Sequence, residues 1–281
     1  MYGIPAGLID TLLAEDAAFG DLTTRTLGIG SCPGRITFVA RDDQVACGTE
    51  EAAALLRHLG AETVYILPSG SSAPAGTLLL AATGAAAALH MGWKSAQTLM
   101  EWASGIATET QAIVAAARTA HPDAVVACTR KMPPMTRVLA VRAVLAGGGV
   151  MHRINLSETI LIFQEHMTFM GGKTEIGAAI RRMRSTAPER KIVVEVTDPV
   201  QAIEVAGHAP DVLQLEKFSP QQLRRVHDAL SERGVCPVLA AAGGVNRSNA
   251  AAYVSEGARV IVTSAPYFAP PRDVQVTLDR A

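Results

Sequence analysis

The chain is poor in aromatics, at 4% of 281 residues, and poor in charge, at 18%, and its net charge of −1 leaves no excess of either sign. Basic residues do not cluster along one face, so a nucleic-acid surface has no electrostatic support. The four cysteines, Cys32, Cys47, Cys128 and Cys236, stand far apart and form no C-x-x-C pair, which argues against a zinc knuckle and against a disulfide framework. No long apolar run occurs either. The nearest candidate, GTLLLAATGAAAALHMGW (76–93), is mostly alanine and is broken by Thr83, Gly84 and His90, too weak for a bilayer span and better read as buried structure. The N-terminal MYGIPAGLIDTLLAED lacks a basic leader and carries Asp10 in its apolar stretch, so the expected location is the cytoplasm, away from membranes. There is no G-x-S-x-G and no plausible Cys-His nucleophile pairing.

What is present is alanine and β-branched aliphatics, in a composition that is 49% hydrophobic. That suits helices packed closely over parallel strands, an α/β protein large enough for one big domain and a smaller companion. Residues 1–103 mix strand-like RITFVA (35–40) and ETVYIL (62–67) with helical TEEAAALLRHLG (49–60). From residue 104 the pattern is regular. The runs AVVACT (124–129), TILIF (159–163), KIVVEV (191–196), DVLQLE (211–216), PVLAAA (237–242) and RVIVTS (259–264) alternate with helical segments over 136–147, 173–187, 198–209, 219–234 and 246–258. Asp198 before Pro199, Ser219 before Pro220, and Asn246 are the expected N-caps.

Polar residues recur at the ends of these runs. Arg130 and Lys131 follow the first, His152 and Arg153 follow GGGV, Glu195 and Glu216 sit at or near the ends of theirs, and Gly243-Gly244 follow PVLAAA. In a parallel barrel all carboxyl ends open on one face, so these groups should converge on a single pocket, and about seven units fit an incomplete barrel. Arg130, Lys131, His152 and Arg153 form a cationic set suited to carboxylate or phosphate. Two glutamates among them suit Mg²⁺ shared with substrate phosphates. Gly243-Gly244 before a helix starting near Asn246 suit a phosphate. Two rival readings of the same mouth are a Schiff-base lysine at Lys131 and a non-catalytic binder of a phosphorylated ligand or oxyanion.

The segments EDAAFGDLTT (15–24), ASGIATET (103–110), CTRKMPPMTR (128–137), GGGVMHRINLSETILIF (147–163), VVEVTD (193–198), VLQLEKF (212–218) and AAGGV (241–245) resemble, in order and over nearly the whole chain, the quinolinate phosphoribosyltransferases. Within that family, LSETILIF, LQLEKFSP and VTSAPYFAPP look most like the ModD-type pyrophosphorylases of molybdenum transport loci. The resemblance implies a type II phosphoribosyltransferase-like fold. It would comprise an N-terminal α/β sandwich domain (1–103), an incomplete α/β barrel (104–265) and a tail (266–281) returning to the first domain. It implies a homodimer whose sites are completed by the neighbouring subunit, and leaves further assembly open. The implied reaction joins phosphoribosyl from phosphoribosyl pyrophosphate (PRPP) to a ring nitrogen of quinolinate, with Mg²⁺, releasing pyrophosphate and carbon dioxide.

Carried over by position, Arg130, Lys131, His152 and Arg153 match acceptor and phosphate contacts, with Lys131 among the catalytic groups. Glu195 and Glu216 match catalytic groups near ribose and metal, and Gly243, Gly244 and Ser264 match the 5′-phosphate loops. Four positions depart from the family pattern. Phe163 replaces an acceptor-binding lysine, Lys94 replaces an arginine that reaches in from the partner, and Glu165 and Lys217 replace asparagines. Quinolinate is a dianion, and leaving one carboxylate without its cation in a partly desolvated pocket is costly. The expectation is a retained phosphoribosyl half and an altered, less charged acceptor.

Overall fold

The computed structural model describes residues 6–172 and 175–281. In chain order the elements are α1 (Ala6–Ala17), α2 (Leu22–Thr26), β1 (Pro33–Ala40), β2 (Gln44–Val45), α3 (Thr49–His58), β3 (Glu62–Ile66), β4 (Ser72–Ala73), β5 (Leu78–Ala85) and α4 (Ala86–Ala120). There follow β6 (Val125–Cys128), α5 (Arg137–Ala146), β7 (Val150–Met151), β8 (Ile160–Ile162), α6 (Gln164–Phe169), α7 (Ile176–Thr186), β9 (Ile192–Val196) and α8 (Pro199–Ala206). The chain closes with β10 (Val212–Glu216), α9 (Pro220–Glu232), β11 (Val238–Ala242), α10 (Ala250–Ser255), β12 (Val260–Thr263) and β13 (Val274–Arg280). Two compact units result. One contains Met1–Gln111, Met132–Gly148 and Pro266–Ala281, the other Ala112–Lys131 and Gly149–Ala265. Helix α4 is continuous through residues 103 and 104.

The first unit is built on an antiparallel sheet in the order β13-β1-β5-β3. Strand β1 alternates, burying Gly34, Ile36, Phe38 and Ala40, and these pack with Leu56, Leu89, Ala96 and Met100 from α3 and α4. Gly92 allows the helices this closeness, because a Cβ there would lie 2.7 Å from Leu56 Cδ2. The C-terminal strand β13 pairs antiparallel with β1, from Gly34 opposite Arg280 to Ala40 opposite Val274. One charged pair is locked inside this unit: Glu51 on α3 meets Arg142 on α5, with 2% and 8% of their side chains exposed.

The second unit is a seven-stranded, wholly parallel sheet in the order β7-β6-β12-β11-β10-β9-β8. Strands β7 and β8 are its two ends and do not pair with each other, so the barrel is open between them. Outward-facing Val194, Val196, Leu213, Leu215, Leu239 and Ile261 pack beneath the helices, while the inner floor is small: Ala240, Ala242 and Val262 with Val212 and Val260. The floor leaves room above it. Six of the strands coincide with the runs read from the sequence. The seventh, Val150–Met151, is two residues long inside GGGVMHR, too short to register as an apolar run.

Two of the expected caps are borne out, and two other local expectations change. Asp198 caps α8 by accepting from Gln201 N–H, and Ser219 caps α9 in a reciprocal box with Gln222. Asn246 is not a cap. Its Oδ1 accepts from Ser248 N–H at 2.9 Å and Ser248 Oγ at 2.6 Å, an Asx turn that delays α10 to Ala250. The helix expected over 173–187 begins at Ile176, and residues 173–174 lie outside the described residues.

Candidate active site

The carboxyl ends of the barrel strands open into a cavity of about 590 Å³. Ten of the eleven residues anticipated from the sequence line it: Arg130, Lys131, His152, Arg153, Phe163, Glu195, Glu216, Gly243, Gly244 and Ser264. Parallel register explains the convergence, because each residue lies at or just beyond the end of its own strand.

Arg153 is 7% exposed, and its guanidinium carbon stands 5.7 Å from the centroid of the Phe163 ring. Among the described residues no carboxylate pairs with it. A nearly buried guanidinium without a counter-charge is costly unless an anion arrives. Burial first, and then Arg130, hold its pKa below the ordinary arginine value. Burial first, and then the adjacent Arg153 and Arg130, lower the pKa of His152, which favours its neutral ring with one N–H donor over a fourth cation. The loop behind the pair is tied down by Ile154 N–H donating to Glu158, and by Arg190 donating to the Glu158 carbonyl at 3.2 Å.

On the opposite side, Glu195 and Gln214 are register partners on β9 and β10, and Gln214 Nε2 donates to Glu195 Oε2 at 2.7 Å. Burial raises the Glu195 pKa, and the charges of Glu216 and Glu165 raise it further, against Gln214 and Lys131. Two carboxylates held in mutual repulsion are the donor set a hard cation relieves. No cluster of three or more His, Cys, Asp or Glu occurs among the described residues, so any such ion must complete its shell with substrate or solvent oxygens. That is the habit of Mg²⁺.

Gly243 and Gly244 have φ of 86° and 83°. A Cβ on Gly243 would stand 2.8 Å from Glu216 Oε1, 2.7 Å from Lys217 Cγ and 2.8 Å from Lys217 N, so only glycine lets this loop pass beside Glu216. Thr263 Oγ1 pins the same loop by donating to the Val245 carbonyl at 2.6 Å, and it accepts from Ala265 N–H at 3.0 Å. The phosphate-like nest therefore rests on left-handed glycines and not on a helix start, since Asn246 N–H is already taken by Asn249 Oδ1.

Phe163 is half-buried in the cavity wall, which rules out simple core packing. Its ring stacks on His166 with centroids 5.8 Å apart and planes at 13°, and its N–H donates to His166 Nδ1 at 3.0 Å. Lys94 belongs to the other unit. It lines a separate cavity of about 790 Å³ with Glu15, Asp16 and Trp102, bonded to Gln97 and lying over Trp93. Glu165, noted in the sequence as a departure from the family pattern, also lines the barrel cavity, as do Thr129, Gln214 and Thr263, which sequence reasoning did not place there. For Gln214 a signal existed: in DVLQLE it shares the period-two face of Glu216, a polar side chain within an apolar run.

An open seven-stranded parallel barrel, in one chain with an antiparallel sheet unit, is the fold of the type II phosphoribosyltransferases. Residues 21–104 match the quinolinate phosphoribosyl transferase N-terminal domain, and residues 106–277 match its C-terminal domain. The chain belongs to the quinolinate phosphoribosyltransferase family and is a pentosyltransferase. It is 43% identical over 273 residues to the ModD protein of Escherichia coli O157:H7, covering 97% of this chain and 96% of that one. It is 45% identical to the ModD protein of Rhodobacter capsulatus, covering 92% and 99%. The nicotinate-nucleotide pyrophosphorylase (carboxylating) of Mycobacterium leprae is 30% identical, covering 90% and 89%. The structure of the nicotinate-nucleotide pyrophosphorylase from Francisella tularensis superposes with a TM-score of 0.89 over 99% of this chain and 98% of that one, at 22% identity, a likeness of fold. No described helix is long and apolar enough to cross a membrane.

Proposed function

We propose that the protein transfers the phosphoribosyl group of PRPP, with Mg²⁺, to a ring nitrogen of a heteroaromatic acid other than quinolinate, in the cytoplasm. The observation that carries the altered acceptor is Phe163: the ring forms cavity wall beside Arg153, where the family resemblance implies a lysine. In this reading Arg130, Lys131 and Arg153 hold the pyrophosphate and the acceptor's carboxylate, and His152 donates its N–H to the same anions. The backbone at Gly243 and Gly244, with Ser264, receives the 5′-phosphate. Glu195 and Glu216 hold the metal and face the ribose, where their charge favours the oxocarbenium-like state as the anomeric bond breaks. Mg²⁺ held by Glu195 and Glu216 would supply the charge that neutralises the departing pyrophosphate. No covalent nucleophile is required.

The reading includes a homodimer in which the partner's copy of Lys94 completes each site. The further link to molybdenum uptake rests on likeness to the ModD proteins alone. The test is Mg²⁺-dependent pyrophosphate release from PRPP across pyridine and other heteroaromatic acids, with products identified by mass spectrometry. Turnover of a monoacid well above that of quinolinate is expected. Efficient nicotinate mononucleotide formation from quinolinate overturns the altered-acceptor reading.

A further inference from the structure

The cavity is divided by the kind of hydrogen-bonding group its side chains offer. The ends of β6 and β7 supply cations and a donor: Arg130, Lys131, His152 and Arg153. The ends of β8, β9 and β10 supply Phe163, Glu165, Glu195, Gln214 and Glu216. On this second wall the Gln214 amide and the Phe163 N–H are already engaged, with Glu195 and His166. The side-chain oxygens left over accept. Gln214 is 5% exposed and its Oε1 has no partner among the described residues, while Glu165 lines the cavity at the first turn of α6. Lys217 does not line the cavity; its stem packs against Gly243 instead.

Glu195 and Glu216 have work to do at the ribose and metal, and Glu165 has none. Phe163 follows β8 and Glu165 stands two residues on in the first turn of α6; both line the cavity, and the charge of Glu165 is felt at Glu195 on the neighbouring strand. A flat acid lying against Phe163 with its carboxylate toward Arg153 would turn its far edge toward acceptors. A second carboxylate on that edge would meet negative charge. An amino or ring N–H group would meet partners.

We infer that Glu165 is a specificity-determining residue, and that the acceptor is a heteroaromatic monocarboxylate bearing a hydrogen-bond donor on the edge opposite its carboxylate. The inference rests on the transferase reading for the cavity's purpose, but it concerns binding and is tested by binding. The probes are nicotinate, quinolinate and the aminonicotinates carrying the amino group at each free ring carbon, titrated calorimetrically into the full chain with Mg²⁺. At least one aminonicotinate should bind about tenfold or more tightly than nicotinate, as a hydrogen bond to a charged acceptor implies. Glu165→Leu should bring that ratio to within about twofold and improve quinolinate binding, and Glu165→Gln should fall between. Equal binding of the aminonicotinates and nicotinate, failure of all of them to bind, or a ratio that survives Glu165→Leu overturns the inference. Pyrophosphate release after PRPP is added to the same samples decides the transferase reading separately, since its absence with every acid leaves the binding ratio measured.

Discussion

Replacing Phe163 with lysine should move turnover toward quinolinate, and the size of the shift follows from what surrounds the ring. Arg153 lies 5.7 Å from its centroid and His166 stacks on it at 5.8 Å. Before an acceptor binds, a new ammonium would face Arg153 and Arg130, a like-charge cost of about 1 kcal/mol at the effective dielectric of a solvent-filled mouth. Glu165, two residues further on, offsets part of it. With quinolinate bound, the second carboxylate gains a charge-assisted hydrogen bond worth about 1.5–3 kcal/mol. The net gain of about 1–2 kcal/mol corresponds to roughly 5–30-fold in kcat/KM for quinolinate.

The native acceptor should lose by the same change, because an aromatic face contributes about 0.5–1.5 kcal/mol beyond its buried area. The ratio of the two specificity constants is therefore the sensitive readout, measured by competing quinolinate against the best acceptor of the native enzyme. The KM for PRPP should stay constant, since the cation set at the ends of β6 and β7 is untouched. A folded Phe163→Lys enzyme with normal PRPP kinetics and an unchanged ratio refutes the argument that this wall selects the acceptor.

Three further outcomes are expected. Arg142→Ala leaves Glu51 buried without its counter-charge and should cost about 3–5 kcal/mol in chemical denaturation, more than the paired change Glu51→Leu/Arg142→Met, which removes both charges. Gly244→Ala meets open space and should cost only the left-handed backbone, about 1–2 kcal/mol. Gly243→Ala adds a clash with Lys217 N and Glu216 Oε1, and should lower kcat at least about tenfold further. For His152 the folded pKa is depressed, so the stability it confers is complete above 6.5 and is lost as pH falls through the lowered value. An anion bound beside it reverses the field of Arg153 and Arg130, so pyrophosphate binding should take up protons in that window. Calorimetry in buffers of different ionisation enthalpy reads the uptake, and His152→Gln should abolish it.

The barrel was legible because its strands are short, β-branched and punctuated, and because parallel connectivity puts every strand end on one face; Arg130 and Glu216, far apart in sequence, needed no contact information to be brought together. Less visible were features that depend on a neighbour. The pKa of His152 is lowered by burial first and by Arg153 and Arg130 after it, and the task of Gln214 is set by Glu195 through a register the sequence does not state. The buried Glu51–Arg142 pair is hidden for the same reason. In TEEAAALLRH, Glu50 and Glu51 look alike, yet Glu50 turns to Ser69 and Glu51 turns inward. Asn246 misled because a good capping residue is also a good turn former, and local hydrogen bonds to Ser248 won.

The open barrel also gives a physical reason why one wall could change while the other stayed. The cations come from the ends of β6 and β7, and the altered groups Phe163 and Glu165 follow β8. Strands β7 and β8 are the two ends of the sheet and share no ladder hydrogen bonds. Substitutions after β8 therefore reach Arg153 through no ladder hydrogen bond, only along the connecting loop that Glu158 ties to Ile154 and across the Arg153–Phe163 contact. A closed barrel would tie the two walls through shared strand pairing, and the same exchange of lysine for phenylalanine would be transmitted to the phosphate-binding side. On this view acceptor and phosphoribosyl recognition are separable, and a double-mutant cycle between Phe163→Lys and Arg130→Ala should show little coupling in PRPP affinity, within about 0.5 kcal/mol of additivity. The cycle between Phe163→Lys and Arg153→Ala should show a clear departure, because those two side chains touch.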